Sequence, residues 1–131
     1  MIDASGASRT VLFVDDEVSL VELANYVLGQ AGWKLIPAYD GRKALAIFQR
    51  AHDDIDVVVL DLVIPGMPGP SVLEQMNRID DTVPVIVATG MERDQVFKKL
   101  NGRTPHILTK PYNLSALSTS LENILVQSAT M

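Results

Sequence analysis

The chain of 131 residues has no cysteine, so neither a disulfide framework nor a thiol nucleophile is available to it. No apolar run approaches the roughly 20 residues that a bilayer crossing needs. The opening segment, MIDASGASR, lacks the basic-then-apolar order of a secretion signal. There is no cluster of Lys and Arg, and a net charge of −5 with a pI near 4.8 argues against direct nucleic-acid binding. Internal repeats, low-complexity stretches and linkers are also missing. What remains is 47% apolar and 21% charged, the composition of one globular domain with a full core. A cytoplasmic location, with no membrane contact, is the expectation.

The most informative stretch is DVVVLDLVIPGMPG, residues 56–69. Val57 to Leu60 shows no polar alternation, the habit of a strand buried on both faces in a parallel sheet. The run ends in Asp61, at the strand's carboxyl end, where open α/β sheets place their ligand sites. The Pro/Gly segment after it reads as a loop, and Pro70 suits the first turn of a helix. Other β-type runs are Thr10–Val14, Trp33–Tyr39, Val83–Ala88 and His106–Thr109. In the fourth, Pro84 sits near the start, where its missing N–H is tolerated.

Helical patterns alternate with these strands. Val21, Ala24, Leu28 and Ala31 share a face within residues 18–31, and Gly32 suits the C-cap. Asp40 is positioned to cap a helix carrying Ala44, Ile47, Phe48 and Ala51. Val72, Leu73 and Met76 mark a third helix. Val96, Phe97 and Leu100 mark a weaker one over 92–100. Asn113 caps a last one with Leu114, Leu117, Leu121 and Ile124. Five strand–helix alternations with short connections predict a doubly wound parallel α/β sheet.

Four strands end in chemically reactive residues: Asp15-Asp16, Asp61, Thr89 and Lys110. In a parallel sheet these ends share one rim. Carboxylates crowded there repel unless a cation intervenes, and an all-oxygen set favours a hard ion, Mg²⁺ before Ca²⁺. With Asp61 as nucleophile, Lys110 and the metal can neutralise phosphoryl oxygens while Thr89 donates a hydrogen bond. That is a layout for phosphoryl transfer.

In FVDDE (13–17), LDLVIPGMPG (60–69), ATG (88–90) and LTKPY (108–112), in this order, the chain resembles the receiver domain of two-component response regulators over residues 10–127. Residues 1–9 and 128–131 would be tails. The resemblance implies a flavodoxin-like (βα)5 fold with strand order 2-1-3-4-5. It implies an aspartyl-phosphate on Asp61 and Mg²⁺ held by Asp16, Asp61 and the Val63 carbonyl, with Asp15 supporting through water. It also implies a cis Lys110–Pro111 bond and phosphoryl contacts from Thr89 and Lys110. Gly90 and Val63 would flank the phosphoryl site. The implied partner is a histidine kinase or histidine phosphotransfer protein. A downstream protein target or a second copy would dock on the face of the fourth helix, fifth strand and fifth helix. The protein would be a stand-alone regulator or the receiver segment of a hybrid kinase, and not an enzyme beyond self-catalysed transfer and loss of the phosphoryl group. The family usually has Tyr or Phe where Ile107 stands, so the switch is expected to run instead through the Gly90–Met91 loop and the helix after it.

Each residue has a plainer reading. An isolated Asp pair after a strand more often caps a helix. Thr89 alone suits a turn and Lys110 alone a solvated charge. His52 and His106 lack a partner at metal spacing and read as surface residues. Met67 and Met91 read as rim packing, Trp33 as partly buried, and Leu125 and Val126 as leftover apolar positions. A phosphatase of the haloacid-dehalogenase type would need a second acid where Val63 stands. A flavodoxin-like cofactor carrier would need a phosphate loop where Asp15-Asp16-Glu17 stand. A docking module that is never phosphorylated would leave the acidic set unused.

Overall fold

In a computed structural model describing residues 9–100 and 106–129, Val57–Asp61 (β3) is the middle strand of a five-stranded parallel sheet. Arg9–Val14 (β1) and Trp33–Ala38 (β2) lie to one side; Val85–Thr89 (β4) and His106–Thr109 (β5) lie to the other. The order is β2-β1-β3-β4-β5, as the resemblance implied. Every residue of β3 is buried, which is why its sequence carries no polar alternation.

Side chains alternate across each strand, so the sheet feeds two cores. Leu12, Val14, Val58, Leu60 and Val87 face one layer. There they meet Ala44 and Phe48 of α2 (Gly41–Ala51), Val72, Leu73 and Met76 of α3 (Gly69–Ile79), and Val96 and Leu100 in and after α4 (Arg93–Lys99). Val11, Phe13, Val57, Val59 and Ile86 face the other. Their partners are Val21, Ala24 and Leu28 of α1 (Val18–Gln30) and Leu117, Leu121 and Ile124 of α5 (Leu114–Ala129). The helical stripes read from the sequence are therefore the core faces. The side chain of Phe97 lies outside the described residues, as do residues 1–8. No described helix is long and apolar enough to cross a membrane.

The caps follow their chemistry. Asp40 accepts from the Lys43 amide at 2.8 Å and Asn113 from the Ala116 amide at 2.7 Å, each quieting an orphan N–H of a first turn. Gly32 takes φ of 92° just past α1, a conformation that strains any residue with a Cβ.

Three expectations need correction. β4 begins at Val85, not Val83, because Pro84 has no N–H to give the ladder; its carbonyl still accepts from the Val58 amide at 3.0 Å. Arg9, assigned to the tail, opens β1, and its guanidinium binds both carboxylate oxygens of Glu122 on α5 at 2.8 Å. Trp33 is only 4% exposed despite its edge strand. It packs in the α1/α5 core, and Arg9 lies 5.9 Å from its ring centroid.

Candidate functional site

The strand register assembles the rim. Val14 lies beside Leu60, and Asp61 beside Ala88. Thr89 lies beside Thr109, so Lys110 follows directly, and its amide donates to the Thr89 carbonyl at 2.8 Å. Asp15, one residue past β1, keeps the β1–β2 ladder going by donating its amide to the Ala38 carbonyl at 3.1 Å. Side chains far apart in sequence are thus brought within reach of one another by strand ends alone.

At the centre, the Lys110 ammonium donates to Asp15 Oδ2 at 2.8 Å and to Asp61 Oδ2 at 2.9 Å. The other oxygens are held by backbone. Asp15 Oδ1 accepts from the Glu17 amide and Asp61 Oδ1 from the Val63 amide, both at 2.9 Å. The plainer reading of Asp15 as a helix cap is therefore not what forms; its carboxylate faces the rim. Asp15 is 2% exposed and Asp61 6%, whereas Asp16 is open to solvent. Burial works against the Lys110 charge, but the hydrogen bonds and attraction of Asp15 and Asp61 outweigh it and hold the ammonium above lysine's ordinary range.

Asp15, Asp16 and Asp61 each offer an oxygen, and these atoms all lie within 4.8 Å of one another. Three carboxylates against one ammonium leave the rim with a surplus of negative charge. An oxygen-only donor set with that surplus fits a hard divalent cation, so these residues suit Mg²⁺. Thr89 is buried, and its hydroxyl oxygen accepts from the Met91 amide at 3.1 Å, tying it to the following loop. Val63 and Gly90 are exposed beside the rim. Ile107 is half-buried against the α2/α3/α4 core. The Lys110–Pro111 bond is cis.

Tyr112 is a further neighbour, one to which its place in LTKPY assigns no role. Its hydroxyl is buried with no hydrogen-bond partner among the described residues, and burial, then the Asp15 charge, push it up to about 12. It lines a cavity of about 360 Å³ with Glu17, Leu20, Lys110 and Pro111. Its place two residues after Lys110 was the available signal.

His52 also departs from expectation. It is half-buried, not a plain surface residue, and its Nδ1 lies 2.7 Å from Asp80 Oδ2. Spacing along the chain could not reveal the pair, because Asp80 is 28 residues away. Hydrogen bonds from Thr82, then from His52, hold the Asp80 carboxyl down at about 2. A carboxyl depressed in the folded state adds stability above its ordinary 3.8 and loses it as the pH falls toward 2. Asp80→Asn should therefore lower the urea midpoint at pH 6 and leave it unchanged near pH 2, measured by circular dichroism.

A family model described as the response regulator receiver domain matches residues 11–122. The chain is 33% identical over 129 residues to the transcriptional regulatory protein TrcR of Mycobacterium tuberculosis, covering 96% of this chain and 49% of TrcR. It is 31% identical over 124 residues to the sensor kinase CckA of Brucella abortus, covering 94% of this chain and 13% of the kinase. The chain thus spans about half or less of these relatives (49% and 13%). Among solved structures, the CheX–CheY–BeF3–Mg²⁺ complex from Borrelia burgdorferi matches with a TM-score of 0.83 and 25% identity over 92% of each chain.

Proposed function

The chain belongs to the response regulator receiver domain family, and on that premise we propose that Asp61 is the phosphoacceptor of a two-component phosphorelay. The observation that carries this reading is the Lys110 ammonium bridging two nearly buried carboxylates at the carboxyl rim of a parallel sheet. The Val63 amide holds Asp61 Oδ1 in place, so the carboxylate is oriented before a donor arrives. An Asp61 oxygen attacks phosphorus, the phosphorus–nitrogen bond of a phosphohistidine breaks, and its electron pair returns to the imidazole. Lys110 then exchanges a carboxylate contact for a phosphoryl oxygen. Thr89 turns its hydroxyl proton toward another.

Asp16 and Asp61 with the Val63 carbonyl would hold Mg²⁺, and Asp15 would support the site through water. The bound ion supplies charge neutralisation for the phosphoryl oxygens. Support for that ion comes from the oxygen cluster here and from the magnesium named in the CheY complex. The unit that does this spans residues 9–129 rather than 10–127, since Arg9 opens β1 and α5 runs to Ala129. The phosphodonor is a histidine kinase or histidine phosphotransfer protein, and the output is a protein contact on the α4–β5–α5 face, to a downstream target or a second copy. The likeness to CckA keeps the hybrid-kinase setting open beside a stand-alone regulator. Val63 stands where a haloacid-dehalogenase-type phosphatase carries its second acid, so sustained turnover of phosphate esters is not expected.

Incubation with acetyl phosphate and Mg²⁺ should add one phosphoryl mass to the intact chain, and chelation or Asp61→Asn should abolish it. Rapid phosphate release without an adduct would favour the phosphatase; neither adduct nor release would favour a docking module. With Ile107 in place of an aromatic, the signal should travel from Thr89 through the Met91 amide into α4. Backbone amide shifts on phosphorylation should change along residues 89–100. Changes confined to residues 15, 16, 61 and 110 would contradict that route.

A further inference from the structure

The rim opposite Asp61, at the amino ends of β3 and β4, carries a second group of convergent ligand atoms. His52 and Asp53 sit in a short 3-10 helix (His52–Asp54) after α2, and Asp80 caps the end of α3. One ligand atom from each of the three lies within 4.8 Å of the others. We propose that His52, Asp53 and Asp80 form a binding site for a borderline divalent transition metal, with Zn²⁺ as the representative ion.

The donor set makes the choice of ion. One imidazole nitrogen with two carboxylates suits Zn²⁺ and its first-row neighbours, whereas the all-oxygen cluster at Asp61 suits Mg²⁺. Distances agree. Two ligands about 2.1 Å from a tetrahedral zinc stand about 3.4 Å apart. His52 Nδ1 and Asp53 Oδ1 are 3.4 Å apart, and His52 Nδ1 and Asp80 Oδ2 are 2.7 Å apart. The second pair is closed around a proton. The ion would displace that proton to solvent and open the pair by about 0.7 Å.

Two of the three ligands are already oriented. The Thr82 amide and hydroxyl both donate to Asp80 Oδ1, leaving Oδ2 for the ion. The His52 ring packs against buried Phe48 with centroids 5.9 Å apart. Asp53, whose side chain is 90% exposed, is free to close on the ion. Three protein ligands leave a fourth position for water, so exchange with solvent is expected to be easy. A bound ion would clasp the α2 end to the α3–β4 turn, independently of Asp61.

The test is calorimetric titration of the chelator-treated full chain with ZnCl2, in excess Mg²⁺ to occupy the acidic rim. One Zn²⁺ per chain should bind, with His106→Gln unchanged. His52→Gln should abolish binding, and Thr82→Val, which keeps the amide but loses the hydroxyl, should weaken it about 10- to 100-fold. In the unmodified chain, the His52 Nδ1 resonance should shift on zinc addition, a readout that does not depend on how any variant folds. Zinc binding of equal affinity in His52→Gln, or an unmoved His52 Nδ1 resonance at saturating zinc, would overturn the proposal.

Discussion

Replacing Lys110 by methionine is expected to lower stability by roughly 2–3 kcal/mol in the absence of Mg²⁺. That is less than the about 3–5 kcal/mol for breaking a fully buried pair, because water reaches Lys110. The Lys110 side chain is 25% exposed, but the two carboxylates it bridges are almost wholly buried. Without it, Asp15 and Asp61 face each other with no cation in contact among the described residues. Mg²⁺ should then bind about tenfold more tightly or better, since it no longer competes with a lysine for the same oxygens. Millimolar Mg²⁺ should accordingly recover most of the lost stability. It should not recover phosphorylation, which, with Lys110 as the proposed donor to phosphoryl oxygen, should slow on the order of 10²- to 10³-fold. Urea denaturation with and without Mg²⁺, alongside the rate of adduct formation, separates the two effects. Equal Mg²⁺ affinity in variant and parent would show that Lys110 is not the resident counter-ion. The sign with pH follows from the raised lysine. Its stabilisation is complete below its ordinary 10.5 and is lost as the pH climbs through the higher folded value.

Gly69→Ala should cost about 3 kcal/mol, a fall in melting temperature of roughly 10 °C. A Cβ at Gly69 would collide with Leu62 Cα and stand 2.5 Å from the Leu62 carbonyl oxygen. Both are backbone, so no rotamer change relieves the clash. The Gly69 amide also donates to that same carbonyl at 3.2 Å, and pushing the chains apart would weaken the bond, worth about 1 kcal/mol. Leu62 separates Asp61 from Val63, so the shift would pass straight into the loop that follows Asp61. The variant should lose Mg²⁺ affinity as well as stability. Gly90→Ala is the matched control: a Cβ there meets nothing within 4 Å, and stability should stay within about 0.5 kcal/mol. Thermal unfolding followed by circular dichroism compares them; an equal loss in both would remove close packing at Gly69 as the cause.

What could be read from the chain and what could not divide along a physical line. Val57 to Leu60 announces a doubly covered strand because burial on both faces removes polar alternation. Asp61 at its end is legible for the same reason: a parallel sheet sends all its carboxyl ends to one rim. Asp40 and Asn113 are legible because capping is a local event, settled within three residues. The deep burial of Trp33 is not legible, because its cover comes from other parts of the chain, including Arg9. The Arg9–Glu122 pair spans 113 positions, and the His52–Asp80 pair 28. Spacing along a chain carries no trace of such meetings. Tyr112 was in view in LTKPY, yet only the fold shows its hydroxyl buried beside Asp15 and Lys110.

Which residue carries the phosphoryl group can be read chemically. An acyl phosphate is reduced by borohydride to the alcohol, so the aspartate that carried it becomes homoserine. The chain should be phosphorylated with acetyl phosphate and Mg²⁺, reduced with borohydride, digested and sequenced by tandem mass spectrometry. Homoserine is expected at position 61, with Asp15 and Asp16 unreduced. Homoserine at 15 or 16, or a borohydride-resistant phosphate on a serine, threonine or histidine, would contradict it.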